Sequence, residues 1–263
     1  MPKWAKIILG IIVVIAAILV AVFSFTAGMT KTADEFFAAA RSGNIEQAYR
    51  YTSADFQAGT SREELAAFLK ANALDKVTDT SWSSRAINGR TGKLEGSLAI
   101  ATGGVVPVEI DLTKGDDGWK IQTLRKAAAG LQSGDIDLQL PSEQQQVAMV
   151  RQSIAQFTDA VAAGSMAEFH KHIAAIWAGQ ASVADLDRAY GSLYATRSAF
   201  QVLQRLTPAF DKPAAISDQG MLVLTGHYPT TPERANFTLK YIFEGIGWKL
   251  VGLSVETETV AAE

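Results

Sequence analysis

The chain repeats itself, and this internal repeat limits its possible folds more than any other feature of the sequence. The segment EFFAAARSGNIEQAY, which starts at Glu35, aligns with QFTDAVAAGSMAEFH, which starts at Gln156, at a spacing of about 121 residues. Further along, Trp119 aligns with Trp248 at a spacing of about 129 residues. We therefore predict two copies of one folding unit. The difference in spacing indicates an insertion in the second copy, near Gln201–Lys212.

Signals for helix ends recur in both copies. Gly43 and Gly164 occupy the positions at which the first helix of each copy should end, because glycine accepts the left-handed conformation of a helix C-terminus. Downstream, residues three apart match the capping-box pattern, in which a short oxygen side chain satisfies backbone N–H groups at a helix start. The four pairs are Asn44 and Gln47, Ser61 and Glu64, Ser165 and Glu168, and Ser182 and Asp185.

In each copy the apolar residues change from a helical to an alternating period, which predicts helices followed by strands. In the first copy we predict helices at 32–42, 45–52 and 62–72, and strands at 81–87, 93–102, 105–113 and 119–125. In the second copy we predict helices at 142–163, 167–174, 183–191 and 195–206, and strands at 215–216, 221–228, 235–244 and 247–256. The predicted fold class is α+β, with about three helices packed on a curved antiparallel sheet in each copy.

This pattern resembles that of NTF2-like (cystatin-like) domains, and more narrowly small bacterial NTF2-like domains of unknown function that often follow a membrane anchor. The residues that carry the resemblance are Gly118-Trp119-Lys120-Ile121 and Gly247-Trp248-Lys249-Leu250, with the phenylalanine, glycine and cap residues of the first helices. The resemblance covers about 32–125 and 141–256. It implies two cone-shaped domains, and it supports a fold far better than a function.

An uncharged apolar segment, Ile7–Phe25, precedes the first copy. As a helix it would span about 28 Å, close to the roughly 30 Å hydrocarbon core of a membrane. Lys3 and Lys6 precede it and no acidic residue occurs before Asp34, so the positive-inside rule predicts a cytoplasmic N-terminus. We expect a single-pass transmembrane signal anchor in the bacterial inner membrane, with the remaining chain in the periplasm. The alternative is a cleaved signal peptide, whose apolar run is usually about 7–15 residues.

Charge and cysteine content exclude several classes of function. The chain has 24 Lys and Arg residues against 27 Asp and Glu residues and no basic run, which disfavours nucleic-acid binding. It has no cysteine, which excludes disulfides, thiolate metal sites and cysteine nucleophiles. His170 and His172 would diverge on a helix, and no third ligand stands at a metal-like spacing. We therefore predict no metal and no cofactor.

These patterns give the predicted domain boundaries. Residues 1–29 hold the cytoplasmic stub and the anchor, 30–126 the first NTF2-like domain, 127–140 a linker, 141–256 the second NTF2-like domain, and 257–263 a disordered tail. Within the linker, the alternating residues at 136–140 indicate a candidate extra strand.

Candidate site residues lie in the second copy. We predict that Trp177, Tyr190, His227 and Tyr228 line a ligand pocket of the second cone, with His227 as a candidate general base. The favoured alternative makes His227 a surface histidine near a turn and Trp177 an anchor between a helix and the core. Enzymes of the NTF2-like superfamily use an acidic or histidine base with a Tyr or Asp partner inside the cone, and the sequence does not supply that set.

The sequence therefore predicts a non-catalytic, membrane-anchored envelope protein. Its two NTF2-like domains would bind a partner protein, support assembly, or associate with each other. The alternative is a carrier or sensor that holds a small apolar ligand in the second cone. A third and less favoured interpretation is an isomerase- or cyclase-type enzyme that uses His227.

Overall fold

The computed structural model describes residues 26–127, 140–231 and 233–259. The chain divides into two compact units, Met1–Leu131 and Gln132–Glu263, which we call the first unit and the second unit. Both combine helices with one antiparallel sheet, so the fold class is α+β.

The first unit begins with helices and ends with a four-stranded sheet. Its helices are α1 (26–41), α2 (Ile45–Arg50), α3 (Ala54–Gly59) and α4 (Arg62–Ala71), followed by a short 3-10 turn at Leu74–Lys76. Its strands are β1 (Val77–Asn88), β2 (Thr91–Ile100), β3 (Val105–Gly115) and β4 (Gly118–Lys126). The strands pair in sequence order, each antiparallel to the next.

The second unit also begins with helices and ends with a sheet, and it has one more helix and one more strand than the first. Its helices are α5 (Glu143–Ala163), α6 (Ala167–His172), α7 (Ala175–Gln180), α8 (Val183–Tyr190) and α9 (Arg197–Gln201), with 3-10 turns at Gly191–Thr196 and Val202–Arg205. Its strands are β5 (Ala209–Phe210), β6 (Ala215–Ile216), β7 (Leu222–Tyr228), β8 (Glu233–Glu244) and β9 (Gly247–Thr259). The sheet order is β5-β7-β8-β9, and β6 also pairs with β7. Strand β9 includes the first three residues of the predicted disordered tail.

The predicted fold needs a correction at its N-terminus. The first described helix begins at residue 26, and within the described ranges no helix combines the length and the apolar character that crossing a membrane requires. The predicted transmembrane segment Ile7–Phe25 lies outside the described residues, as does most of the candidate strand at 136–140. The cellular location inferred from that segment stays a prediction.

The predicted number of helices per copy is also wrong, because each unit contains a short helix that follows a backbone contact with the sheet. Helix α3 begins after Ser53, whose Oγ accepts the backbone N–H of Phe56 at 3.1 Å. Helix α7 begins after Ala174, and Glu244 accepts the N–H of Ala175 at 3.0 Å. Each of these helices has six residues, which is fewer than two turns. That is too short for the apolar period of a helix to be recognised in the sequence.

In both units the same backbone contact joins the helical half of the chain to the last strand. Thr52 forms a parallel bridge with Ile121 of β4, and Ile173 forms a parallel bridge with Leu250 of β9. The residue after each bridge donates its backbone N–H to the same strand residue, at 2.8 and 2.7 Å. Both bridges lie at the spacings of the sequence repeat, about 121 residues in the helical half and about 129 in the strands. This is the geometry that an internal duplication predicts.

Helix ends match the sequence signals in most places. Gly43 and Gly164 have φ of 74° and 71°, as the left-handed helix ends require. Complete capping boxes form at Ser61 and Ser182, where each hydroxyl accepts one N–H and the acid three residues later accepts another. Asn44 accepts the N–H of the third following residue at 3.0 Å.

The capping box predicted at Ser165 and Glu168 is wrong. The residue that precedes α6 is Met166, and its backbone N–H is held at 2.7 Å by the carboxylate of Asp187. A hydrogen bond from Tyr194, together with the one from Met166, lowers the pKa of the Asp187 carboxyl. A carboxylate distant in sequence has therefore replaced a local cap.

Each sheet buries one face against its helices. In the first unit the buried residues of the strands include Leu94, Leu98, Val108, Ile110, Leu112 and Ile121. In the second unit they include Leu222, Leu224, Tyr228, Phe237, Leu239 and Tyr241. Successive strand residues point to opposite faces. The residues between these buried positions therefore form the other face of each sheet, which we call the outer face.

Candidate functional site

A cleft of about 240 Å³ lies on the outer face of the second sheet, and we call it the outer cleft. Its lining residues are Asp211, Thr225, Gly226, Arg234, Asn236, Phe237, Thr238, Ser254 and Glu256. They come from β7, β8, β9 and the residue after β5. Apart from Gly226 and Phe237, the lining is polar or charged.

Strand register explains why the outer cleft is open. Thr225 of β7 lies opposite Thr238 of β8, and Thr238 lies opposite Ser254 of β9. These three neighbours form a row of short side chains across the sheet. The adjacent row consists of His227, Asn236 and Glu256, paired in the same way. Because short side chains leave the space above them unfilled, the first row forms the floor, and Asn236 and Glu256 of the second row form one side.

His227 is held by an acid at the edge of the outer cleft. Strand β5 places Ala209 opposite His227, and Asp211 follows two residues later with its backbone N–H bound to Thr225 at 3.1 Å. The Nδ1 atom of His227 lies 2.7 Å from Oδ1 of Asp211. A carboxylate accepts hydrogen bonds, so Nδ1 carries the proton and Nε2 is the acceptor nitrogen of the neutral ring. The imidazole orientation is therefore fixed.

Arg234 and Asn236 both donate to one carboxylate, and each has one buried polar atom without a hydrogen-bond partner among the described residues. Glu258 accepts from Nδ2 of Asn236 at 3.0 Å and from Nη2 of Arg234 at 3.0 Å, and these bonds lower the pKa of its carboxyl. Among the described residues, the buried atoms Nε of Arg234 and Oδ1 of Asn236 have no partner. Leaving such an atom unpaired costs about 1–3 kcal/mol. A ligand that satisfies either atom would regain that free energy.

The outer cleft has an excess of negative charge. Glu258 neutralises Arg234, whereas Asp211 and Glu256 line the cleft without a lysine or arginine partner in the ion pairs of the described chain. Ser254 donates to Glu256 at 3.2 Å, which orients that carboxylate without neutralising it. The lining therefore contains two carboxylates, Asp211 and Glu256, and one guanidinium, Arg234, which is already paired with Glu258. Such a cleft attracts a cationic group.

At the corresponding position of the first unit the outer face carries ion pairs, which we call the outer ion-pair network; a separate cleft of about 380 Å³ lies farther along the same strands, with Lys93 and Asp111 in its lining. Its members are Lys93, Glu95, Glu109, Asp111 and Arg125. Lys93 Nζ lies 3.0 Å from Glu95 and 3.1 Å from Glu109, and the Arg125 guanidinium contacts Glu109 and lies 3.0 Å from Asp111. Burial lowers the pKa of Lys93, but hydrogen bonds with the two glutamates outweigh burial and raise it.

The outer cleft and the outer ion-pair network occupy equivalent positions. Both sheets have a glycine at the same point of the register, Gly96 opposite Val108 and Gly226 opposite Phe237. Both last strands have a one-residue bulge at the same point of the register. Counted from these landmarks, Glu95, Glu109 and Arg125 of the first unit correspond to Thr225, Thr238 and Ser254 of the second. Short neutral residues therefore leave a cleft in the second unit at the positions where charged residues form ion pairs in the first.

The structure divides the four predicted pocket residues between two faces of the second sheet. Tyr228 faces the core and is 1% exposed, whereas its neighbour His227 belongs to the outer face. Trp177 and Tyr190 are partly buried and pack against the same core as Tyr228. His227 is half-buried on that face, on a strand that is paired on both sides. The residues that join it around the outer cleft were not among the predicted ones.

Aromatic rings occupy the core of the second unit around Phe157. Its ring centre lies 5.1 Å from that of Tyr190, 5.6 Å from that of Phe169 and 6.5 Å from that of Phe200. Trp177 extends the cluster through an edge contact with Phe169 at 5.9 Å. The position predicted to hold an apolar ligand therefore holds packed side chains.

Two tyrosine hydroxyls are buried in the same core. Tyr241 shares a 3.0 Å hydrogen bond with Ser153 of α5, and burial raises its pKa strongly. Burial also raises the pKa of Tyr228 to about 12, and within the described part its hydroxyl has no partner. Both groups are therefore neutral below pH 10 and serve the core as large, mostly apolar rings.

The histidines of α6 have a structural place. Nε2 of His170 lies 2.9 Å from the carbonyl oxygen of Ala181 and 3.2 Å from that of Ala178, so the ring joins α6 to the end of α7. His172 is exposed. Across the described ranges, no three His, Cys, Asp or Glu residues form a cluster that could hold a metal ion.

Comparison with known proteins adds no functional assignment to this geometry. No protein-family model matches the chain, and no curated protein matches it in sequence. The resemblance of each copy to NTF2-like domains therefore stays a prediction based on the residues quoted above.

Proposed function

We propose that this protein is a non-catalytic binding protein and that the outer cleft of its second unit receives a partner protein. One observation carries the proposal. Two units with the same strand register differ at three matched positions of their outer faces, where charged residues form ion pairs in the first unit and short residues leave a cleft in the second. The paired charges at these positions of the first unit satisfy one another, whereas the outer cleft of the second has charges and polar atoms available to another molecule.

The chemistry around His227 supports recognition rather than catalysis. A histidine and an acid activate a nucleophile of the protein itself when a hydroxyl or thiol stands at the other ring nitrogen. In the described part of the chain, Asp211 is the hydrogen-bond partner of the His227 ring. The hydroxyl of Ser254, on β9 in the neighbouring row, donates to Glu256. The pair therefore orients polar groups at the rim of the cleft.

The proposal can be tested by placing a photo-crosslinking amino acid at Thr225 of the full-length chain in its native cells. A matched position is Ser97, which lies on the outer face of the first unit. We expect a crosslinked protein from position 225 and not from position 97. A second chain with the crosslinker at 225 also carries Ser254→Arg, which fills the cleft.

The crosslinked protein should disappear in the Ser254→Arg chain. Hydrogen exchange of β7 and β8 would verify that this variant remains folded. Capture of the same protein from both positions, or its persistence after the cleft is filled, would overturn the assignment of the binding surface. Absence of any crosslink from position 225 would overturn it as well.

A further inference from the structure

We infer that the outer cleft binds an arginine side chain of a peptide segment. The inference rests on the proposed function, since it names the group of the partner that the same cleft would hold. It follows from the charge of the cleft, from its size, and from the arginine that the first unit places in the equivalent region.

In the first unit an arginine occupies the position that corresponds to the outer cleft. There the Arg125 guanidinium lies between the carboxylates of Glu109 and Asp111 and its side chain is 17% exposed. A guanidinium matches carboxylates well because its planar N–H groups donate two parallel hydrogen bonds. Ser254 stands at the position of Arg125 in the second unit, so the second unit lacks an arginine of its own there.

The second unit nevertheless has acids of its own around the outer cleft. Asp211 and Glu256 come from the end of β5 and from β9, at positions that have no acid in the first unit. Their carboxylates provide the acceptors that a guanidinium needs. The cleft of about 240 Å³ is open on its outer side, above the short side chains of its floor, and can admit a planar guanidinium.

The two buried atoms without a partner in the described chain, Oδ1 of Asn236 and Nε of Arg234, indicate that the arginine belongs to a peptide. Glu258 accepts from Nδ2 of Asn236, which fixes the amide so that Oδ1 is the atom without a partner. That acceptor would take an N–H of the guanidinium or of the peptide. Nε of Arg234 is a donor without a partner, and a free guanidinium offers it nothing. A peptide carbonyl next to the arginine would accept from it after a small rotation of the Arg234 side chain.

The experiment titrates the full-length chain with N-acetyl-arginine amide, which has a guanidinium, peptide groups and no terminal charge. N-acetyl-citrulline amide is the matched probe, since it has the same shape without the charge. Binding is followed by the NMR signals of Thr225, Thr238 and Ser254. We expect the arginine probe to bind at least about tenfold more tightly, because charge-assisted hydrogen bonds are roughly twice as strong as neutral ones.

Variants assign the binding to the outer cleft. Glu256→Gln and Asp211→Asn should each weaken the arginine probe several-fold, and Ser254→Arg should abolish its binding. Glu168→Gln is the control, because Glu168 is an exposed acid of the same unit that pairs with Lys171 outside the cleft. Its effect should be absent. Glu256→Gln changes one atom type without changing size, so it remains informative if Ser254→Arg disturbs the sheet.

Equal binding of the arginine and citrulline probes would overturn the inference, as would an affinity that Glu256→Gln leaves unchanged. Failure of the inference is distinguishable from failure of the proposed function. A protein captured from position 225 that the arginine probe does not displace would leave the proposed function standing without an arginine. An arginine probe that binds, with no protein captured from position 225, would retain the cleft chemistry and remove the protein partner.

Discussion

The outer faces of the two sheets share their backbone and differ in their chemistry. Each has a glycine opposite the same strand position and a bulge at the same point of its last strand. On the first unit this frame carries Glu95, Glu109 and Arg125, which satisfy one another or Lys93. On the second it carries Thr225, Thr238 and Ser254, which leave a cleft. At these three positions the common frame therefore carries paired charges in one unit and short neutral side chains in the other.

The core faces of the two sheets also differ, and here it is the second unit that has the polar groups. At the register positions of Leu98 and Leu112 in the first unit, the second unit has Tyr228 and Tyr241. All four side chains are at most 2% exposed. The first unit therefore places its polar atoms outside and keeps this part of its core apolar, whereas the second unit has moved hydroxyls inward. The following predictions test how far the common frame and the different side chains determine each unit.

The largest effect should come from the glycine that both frames share. A Cβ atom at Gly96 would lie 2.2 Å from the carbonyl oxygen of Ser81, and one at Gly226 would lie 2.1 Å from that of Ala209. Gly96→Ala and Gly226→Ala should each lower the free energy of unfolding by about 3 kcal/mol, because the clash is with backbone of the adjacent strand. Hydrogen exchange of each unit within the full chain measures the loss.

Gly252→Ala is the control for this pair, since the nearest atom to its new Cβ is 3.6 Å away. Its effect should stay within about 0.5 kcal/mol. If only one of the two glycine substitutions were disruptive, the two sheets would not share the frame that their register indicates.

A smaller effect is expected from opening the outer ion-pair network. Arg125→Ala would leave Glu109 and Asp111 close together without their guanidinium, and we expect a loss of about 1–2 kcal/mol after allowing for partial solvent screening. Arg90→Ala is the matched control, because Arg90 and its partner Asp116 are exposed and 3.9 Å apart. Urea unfolding at low and high salt measures both.

The loss for Arg125→Ala should shrink at high salt, and the control should change stability by less than about 0.5 kcal/mol. An equal effect of the two substitutions would mean that the network contributes no more than an ordinary surface pair. The contrast between paired charges on one outer face and a cleft on the other would then lack an energetic basis.

The smallest effects concern the buried tyrosines, and they should have opposite signs. Tyr228→Phe removes a hydroxyl without a partner in the described part of the chain and should stabilise the second unit by about 1 kcal/mol. Tyr241→Phe removes the partner of Ser153 and should destabilise it by about 1 kcal/mol. Denaturant unfolding at pH 7 gives both values. Stabilisation by both substitutions would show that the Ser153 bond contributes nothing.

The pH dependence provides a second measurement on Tyr228. Its pKa is raised from 10.0 to about 12, so the folded protein holds the phenolic proton more tightly than the unfolded chain does. The resulting stability is fully present below pH 10 and is lost as pH rises toward 12. The advantage of Tyr228→Phe over the parent should therefore grow between pH 10 and 12. A constant difference across that range would contradict the raised pKa.

Local features of this fold could be predicted from the sequence, and features that join distant strands could not. The helix ends at Gly43 and Gly164 and the capping box at Ser61 depend on residues within one helical turn. The hydrogen bond between His227 and Asp211 depends on β5, a strand of two residues with no recognisable period. Asp187 took over the cap predicted for Ser165 because the chain returns to α6 from α8.

The outer cleft escaped prediction for the same physical reason. Its lining spans Asp211 to Glu256, and only the register of β7, β8 and β9 brings those residues together. His227 and Tyr228 illustrate the difficulty, because adjacent strand residues face opposite sides of a sheet. The alternating burial of β7 assigns them to different surfaces. The repeat spacing of about 129 residues already aligns Arg125 with Ser254, but only the strand register shows that Ser254 lies beside Thr238 and Thr225.

The closing bridges have a consequence for the order in which the protein is made. The bridge between Thr52 and Ile121 can form once β4 has been synthesised, whereas that between Ile173 and Leu250 must wait for β9, about 130 residues later. At about 5–20 residues per second, the first unit has roughly 7–26 seconds to complete itself before its counterpart can. We expect nascent chains arrested after β6 to contain a protease-resistant first unit. Its completed sheet would then be unavailable to the similar strands that emerge later, so the delay itself protects a duplicated chain from exchanging its halves.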